Sequence, residues 1–71
     1  MKKIYLVKYN NGEEYPEDYE EFIFKYCYSS KEQALQAIEE LKKDQDFLED
    51  VNDFVEPTEI KFWVESVELV D

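Results

Sequence analysis

The chain has 71 residues, of which 19 are Asp or Glu and 8 are lysine, a formal charge of −11 at neutral pH, with 44% apolar and 17% aromatic residues. A chain of this length buries only about 60% of the surface it exposes when unfolded, so residues 1–71 are expected to form a single domain around one thin core. With no histidine, no arginine and one cysteine, it has no Ser-His-Asp or Cys-His relay, no usual zinc ligand set and no arginine fork for phosphate, so neither an enzyme nor a cofactor site is expected.

Lys3–Tyr9 alternates as a strand does, with Ile4 and Leu6 on one face and Tyr5, Val7 and Tyr9 on the other. Asn10-Asn11-Gly12 is a turn signal, since Asn and Gly tolerate positive φ. Glu13–Glu21 follows, with six carboxylates, Tyr15, Pro16 and Tyr19 but no cation, and reads as an exposed loop. Phe22–Tyr28 is a second strand, with Phe22, Phe24, Tyr26 and Tyr28 expected to pack under a helix and Cys27 expected as a small buried hydrophobe. Ser30 is a helix N-cap with Gln33 three residues on, as in a capping box, and Glu32 in the first turn.

The helix that follows carries Ala34, Leu35, Ile38 and Leu41 at three- and four-residue spacing, and Leu35, Ile38 and Leu41 are expected to face the sheet. Asp44–Glu56 continues that helix or makes a second short one until Pro57 stops it. Glu59–Val70 returns to strand alternation, with Ile60, Phe62 and Val64 in one phase and Val67 and Leu69 in the other, which predicts a bulge or break near Glu65-Ser66. The expected fold is α+β with two layers: a small antiparallel or mixed sheet of three to four strands, one or two helices on one face, in the order β-β-α-(α)-β.

Two acidic blocks stand out. One holds Glu13, Glu14, Glu17, Asp18, Glu20 and Glu21, the other Asp44, Asp46, Glu49, Asp50, Asp53 and Glu56; together they contain 12 of the 19 acids and no lysine. Clustered carboxylates of this kind imitate a phosphate backbone and steer a protein onto a basic groove, and the aromatics among them, Tyr15 and Tyr19, are typical interface anchors. Phe47 and Phe54 interrupt the second block either as anchors or as core. No calcium loop fits: Leu48 and Glu49 occupy ligand and glycine positions counted from Asp44, and a count from Asp50 meets Phe54 and Lys61, so no metal site is expected. Trp63 points opposite to Phe62 and Val64, and together with Tyr5 and Tyr9 is expected to make an exposed apolar patch for dimerisation as a homodimer or for binding a partner.

Cys27 has no intramolecular disulfide partner, and the apolar run Ile4–Val7 after Lys2 and Lys3 is too short for a signal-peptide core. No apolar stretch approaches the roughly 20 residues of a membrane span, so a cytoplasmic location is expected. A surface at −11 repels nucleic acid and anionic lipid alike, which predicts no direct contact with nucleic acid or membrane and attraction to a basic protein.

Lys3-Ile4-Tyr5-Leu6-Val7, Tyr28-Ser29-Ser30-Lys31-Glu32-Gln33-Ala34, Ala37-Ile38-Glu39-Glu40-Leu41-Lys42 and Val64-Glu65-Ser66-Val67-Glu68-Leu69 resemble a widespread class of small uncharacterised bacterial and phage domains with a YSS-x-E-x-A helix start. That resemblance implies the β-β-α-β order and carries no catalytic residue. In size, acidity and composition the chain is also similar to phage-encoded inhibitors of bacterial defence systems, anti-CRISPR proteins among them, which implies a phage or mobile-element origin. The leading expectation is a non-enzymatic inhibitor that binds the basic surface of a nucleic-acid-handling protein through Glu13, Glu14, Tyr15, Glu17, Asp18, Tyr19, Glu20, Glu21, Asp44, Asp46, Glu49, Asp50 and Asp53. The alternatives are an immunity protein for a cationic nuclease toxin and a self-pairing structural domain.

Overall fold

A computed structural model describes residues 2–69. Strand β1 (Lys2–Asn10) lies between β2 (Glu21–Tyr28) and β3 (Phe62–Leu69), antiparallel to both, in a three-stranded sheet of order β2-β1-β3. Helices α1 (Lys31–Leu41) and α2 (Gln45–Val51) follow β2, and a 3₁₀ turn (Pro57–Glu59) leads into β3. The two-layer α+β arrangement and the order of its elements are those expected from the sequence; the sheet is wholly antiparallel. Val70, assigned to the last strand from its pattern, lies outside the described residues.

The helices start where their caps dictate. Ser30 Oγ accepts the Gln33 N–H at 3.2 Å, and Asp44 Oδ1 accepts the Phe47 N–H at 3.2 Å, each satisfying a backbone donor that the first helical turn leaves free. The capping box is not closed in its usual form: Gln33 Oε1 accepts the Ser29 hydroxyl at 3.0 Å. Separate caps and the non-helical Lys42–Asp44 link make α1 and α2 two helices.

Both helices cover one face of the sheet. Val7, Ala34, Ile38 and Leu41 form the buried cluster, with Tyr5, Phe24, Tyr28, Ala37, Phe47, Phe62 and Val64 packed against it. Phe47 of α2 sits among Tyr9, Phe24 and Phe62 with ring centroids 5.1–6.3 Å apart, edge-to-face with two of them, which adds specific geometry to their apolar burial.

Four expectations are corrected. Leu35 is 46% exposed, because the seam that meets this narrow sheet runs through Ala34, Ile38 and Leu41 and leaves Leu35 on its flank. Cys27 is exposed, being paired with Leu6 on the face away from the helices. Tyr26 is 57% exposed although its ring meets Phe24, since it lies in a stretch where Phe24–Tyr26 of β2 oppose Val7 alone and the ladder is irregular. The bulge therefore belongs to β2: β3 pairs with β1 without interruption from Lys2–Leu69 to Tyr9–Phe62. The apparent phase slip in β3 arises because both of its faces carry apolar residues.

Candidate docking surface

The link from β1 to β2 is built on two asparagines. Asn10 and Asn11 are buried, and their side-chain oxygens accept the N–H groups of Gly12 (3.0 Å) and Glu13 (3.2 Å), tight turns that the Asx side chain mimics. Asn10 Oδ1 also accepts the Lys61 N–H at 3.0 Å, and Asn11 Nδ2 donates to the Asp18 carbonyl at 2.7 Å. Gly12 has φ +77°, and a Cβ there would lie 2.8 Å from Val55 Cγ2, so this position needs glycine for backbone and space alike. From this anchored base residues 14–20 run exposed, as expected of the first acidic block. Its last member, Glu21, begins β2 instead and accepts the Tyr19 hydroxyl at 2.6 Å. That hydrogen bond raises the Tyr19 phenol above its ordinary pKa.

The second block is brought against the first. Asn52, at the end of α2, donates through Nδ2 to the Asn11 carbonyl at 3.0 Å and to Glu13 Oε1 at 2.9 Å, while its Oδ1 accepts the Phe54 N–H at 3.0 Å. One side chain thus fixes the two blocks, some forty residues apart in sequence, into one acidic end and sets the turn that follows. Asp50 borders a hollow with Tyr9, Phe22, Phe47 and Val51, and Glu49 and Asp53 border another with Leu48, Asn52 and Val55.

At this end Phe54 is 95% exposed and Tyr15 64% exposed, with Tyr19 exposed and tied to Glu21. Phe47 and Phe54, undecided by sequence, take opposite roles: Phe47 is in the aromatic core and Phe54 projects into solvent. Phe54 is the functional candidate that sequence reasoning left open; its signal was the Asn52-Asp53 turn before it.

Two carboxylates of the second block have structural work. Asp44 caps α2 and Asp46 lies in its first turn, where the helix dipole favours an anion. Glu49 and Asp50 do not: they stand in the last turns of a helix with no basic residue there, and Asp46 is spaced at i,i+3 and i,i+4 from them. Among the described residues the ion pairs are Lys3–Glu68 (4.0 Å) and Lys8–Glu65 (2.7 Å), both between β1 and β3, so no carboxylate of either block is in an ion pair with a lysine. Among the described residues no group of three or more His, Cys, Asp or Glu is arranged to hold a metal ion and no helix is long and apolar enough to cross a membrane.

Trp63 does not share a patch with Tyr5 and Tyr9, as the sequence suggested. Tyr5 packs against the buried cluster and Tyr9 stacks on Phe22, Phe47 and Phe62, all on the helix side, whereas Trp63 pairs with Lys8 on the open face. No protein-family profile, curated protein or solved structure matches the chain.

Proposed function

We propose that the protein is a non-enzymatic inhibitor that binds stoichiometrically, through its acidic end, to the basic nucleic-acid-binding surface of another protein. The observation that carries this reading is Phe54, 95% exposed, and Tyr15, 64% exposed, among the carboxylates of two segments that Asn52 ties together and that make no ion pair with a lysine. An aromatic ring held in water has a cost that a solubility device does not need, and aromatics amid complementary charge are the residues that dominate binding at interfaces. The carboxylates would set the rate of encounter and select a cationic partner, while Phe54 and Tyr15 would set the lifetime of the complex. The unfavourably placed Glu49 and Asp50 support the same reading. In size, charge and lack of catalytic equipment this is the profile of phage-encoded anti-defence proteins, so a bacterial defence nuclease is the partner class to test first.

The experiment is affinity capture from a bacterial lysate at about 50 mM and at about 150 mM salt, with wild type, a variant with Glu14, Glu17, Asp18 and Glu20 changed to the amides, and Phe54→Ala. Retention of a basic nucleic-acid-handling protein by wild type, weakened in the amide variant and shortened in lifetime by Phe54→Ala, is the expected outcome. A partner retained equally by all three, or with affinity unchanged up to about 500 mM salt, refutes the proposal.

A further inference from the structure

The face of the sheet away from the helices is apolar where an antiparallel sheet in contact with water is ordinarily polar. Pairing places Ile4 and Leu6 of β1 beside Val67 and near Trp63 of β3, with Ile23 and Leu69 towards the edges, and none of these belongs to the helix-side core. Ile23 is 58% exposed and Leu69 39% exposed; Ile4, Leu6, Trp63 and Val67 are half-buried by one another and by their neighbours. A contiguous apolar surface of this kind marks a place where something docks.

Charge selects the occupant. A basic partner is drawn to the acidic end, where carboxylates without an ion-pair partner are concentrated. On the open face, Lys8 and Glu65 form an ion pair at 2.7 Å between adjacent strands, Glu21 adds a field at Lys8, and Lys2 stands at the end of β1. Of the two acidic blocks only Glu21 reaches this face, where it lies in the field of Lys8, so a second chain of charge −11 meets less unbalanced negative charge here than at the acidic end. The shape agrees: the molecule measures 42 × 26 × 15 Å, its thin dimension matching one sheet layer and one helix layer roughly 10 Å apart, so the open face is a broad side of a slab. The face itself, three strands of eight or nine residues, spans about 30 by 15 Å, which places the contact at the small end of specific interfaces and the expected association in the micromolar range.

We propose that two copies of this chain pack open face to open face about a two-fold axis, forming a sheet-on-sheet core with the helices outside. Leu6, Trp63 and Val67 are the centre of the contact, and the two-fold brings the Lys8–Glu65 pairs of both copies into the interface, where lysine of one faces glutamate of the other. The α2 carboxylates of the two copies are then separated by two sheet layers, further than the Debye length of about 8 Å. A chain with one thin core thereby gains a second one, and each dimer presents two acidic ends.

The test is the mass of the pure wild-type protein by sedimentation and light scattering from about 5 to about 500 μM at physiological salt. The mass is expected to rise from 8.6 kDa to twice that value, while Trp63→Glu, which sets carboxylates against each other across the axis, remains at 8.6 kDa and Phe54→Ala dimerises as wild type does. A wild-type mass of 8.6 kDa at every concentration overturns the proposal, as does a Trp63→Glu variant that dimerises equally well. Cys27, paired with Leu6 on the same face, supplies a second readout on wild type that does not depend on how the variant folds. Its alkylation is expected to slow by about tenfold or more between monomer and dimer concentrations, and an unchanged rate in a dimeric sample overturns the assignment of the face.

Discussion

Asn52 is the side chain through which the two acidic blocks become one surface, and its replacement has a magnitude that follows from its bonds. Asn52→Ala removes the donations to the Asn11 carbonyl and to Glu13, together with the acceptor for the Phe54 N–H. Asn11 is buried, so its carbonyl is left without this partner at a cost of about 1–1.5 kcal/mol; Glu13 and Phe54 recover water, and each loss counts for about 0.5 kcal/mol. The sum, about 2 kcal/mol, is a large share of the roughly 4–10 kcal/mol expected of a domain this size. Asn52→Asp keeps the acceptor but sets a carboxylate against Glu13, adding about 1–2 kcal/mol of repulsion at an effective dielectric constant of roughly 40–80. Urea unfolding is the assay: at an m-value of about 1 kcal/mol/M, the alanine variant should lose about 2 M in midpoint and the aspartate variant more, with the difference between the two narrowing as salt is raised. An alanine variant within about 0.5 kcal/mol of wild type would refute the clasp, and equal midpoints for the two variants at low salt would refute the closeness of residue 52 to Glu13.

Three other outcomes follow from the structure. Gly12→Ala should cost about 1–3 kcal/mol by urea unfolding, and Gly12→Ala with Val55→Ala should recover none of the backbone part, because relieving the 2.8 Å approach leaves φ at +77°. Leu35→Gln should stay within about 0.5 kcal/mol of wild type while Ile38→Ala loses about 2–4 kcal/mol, a contrast that thermal unfolding measures directly. Burial raises the phenols of Tyr9 and Tyr28, and the hydrogen bond to Glu65 raises Lys8; the folded state holds these protons more tightly than the unfolded one, so their contribution is complete below about pH 10 and is lost as pH climbs through the raised values. A urea midpoint that stays level from about pH 8 to about pH 11.5 would contradict this.

The elements were legible because their signals are local. Ser30 and Asp44 cap, Gly12 takes positive φ, and β2 is dense in residues that suit a pleated surface. Which face of a strand the helices cover is not local. In β1, Ile4 and Leu6 are as apolar as Val7, and only the register with β2 and β3 together with the position of α1 decides that Val7 is enclosed and Leu6 left open. The misplacement of Cys27, the supposed break in β3 and the grouping of Trp63 with Tyr5 and Tyr9 all descend from that one ambiguity. Leu35 was misjudged for a different reason: a helix against three strands uses a narrow seam, and Ala34, being small, lets the helix approach along it at the expense of its larger neighbour. The acidic blocks were visible as composition, but their union was not, since it depends on Asn52 reaching Asn11 and Glu13 across the fold.

Whether those carboxylates serve binding or merely solubility is decided by comparing what they do to stability with what they do to docking. Glu49 and Asp50 stand at the negative end of the α2 dipole and at i,i+3 and i,i+4 from Asp46, so Glu49→Lys with Asp50→Lys should relieve repulsion and supply the absent basic last turn. The gain is expected to be about 1 kcal/mol, read as a higher urea midpoint at unchanged slope. A purely solubilising role predicts that gain with retention by a cationic partner left intact, because the double variant still carries a strongly negative charge. A docking role predicts the opposite pairing of results: a more stable protein whose association with the basic partner slows and loses its steep salt dependence, the exchange of stability for function that residues kept against the helix dipole imply.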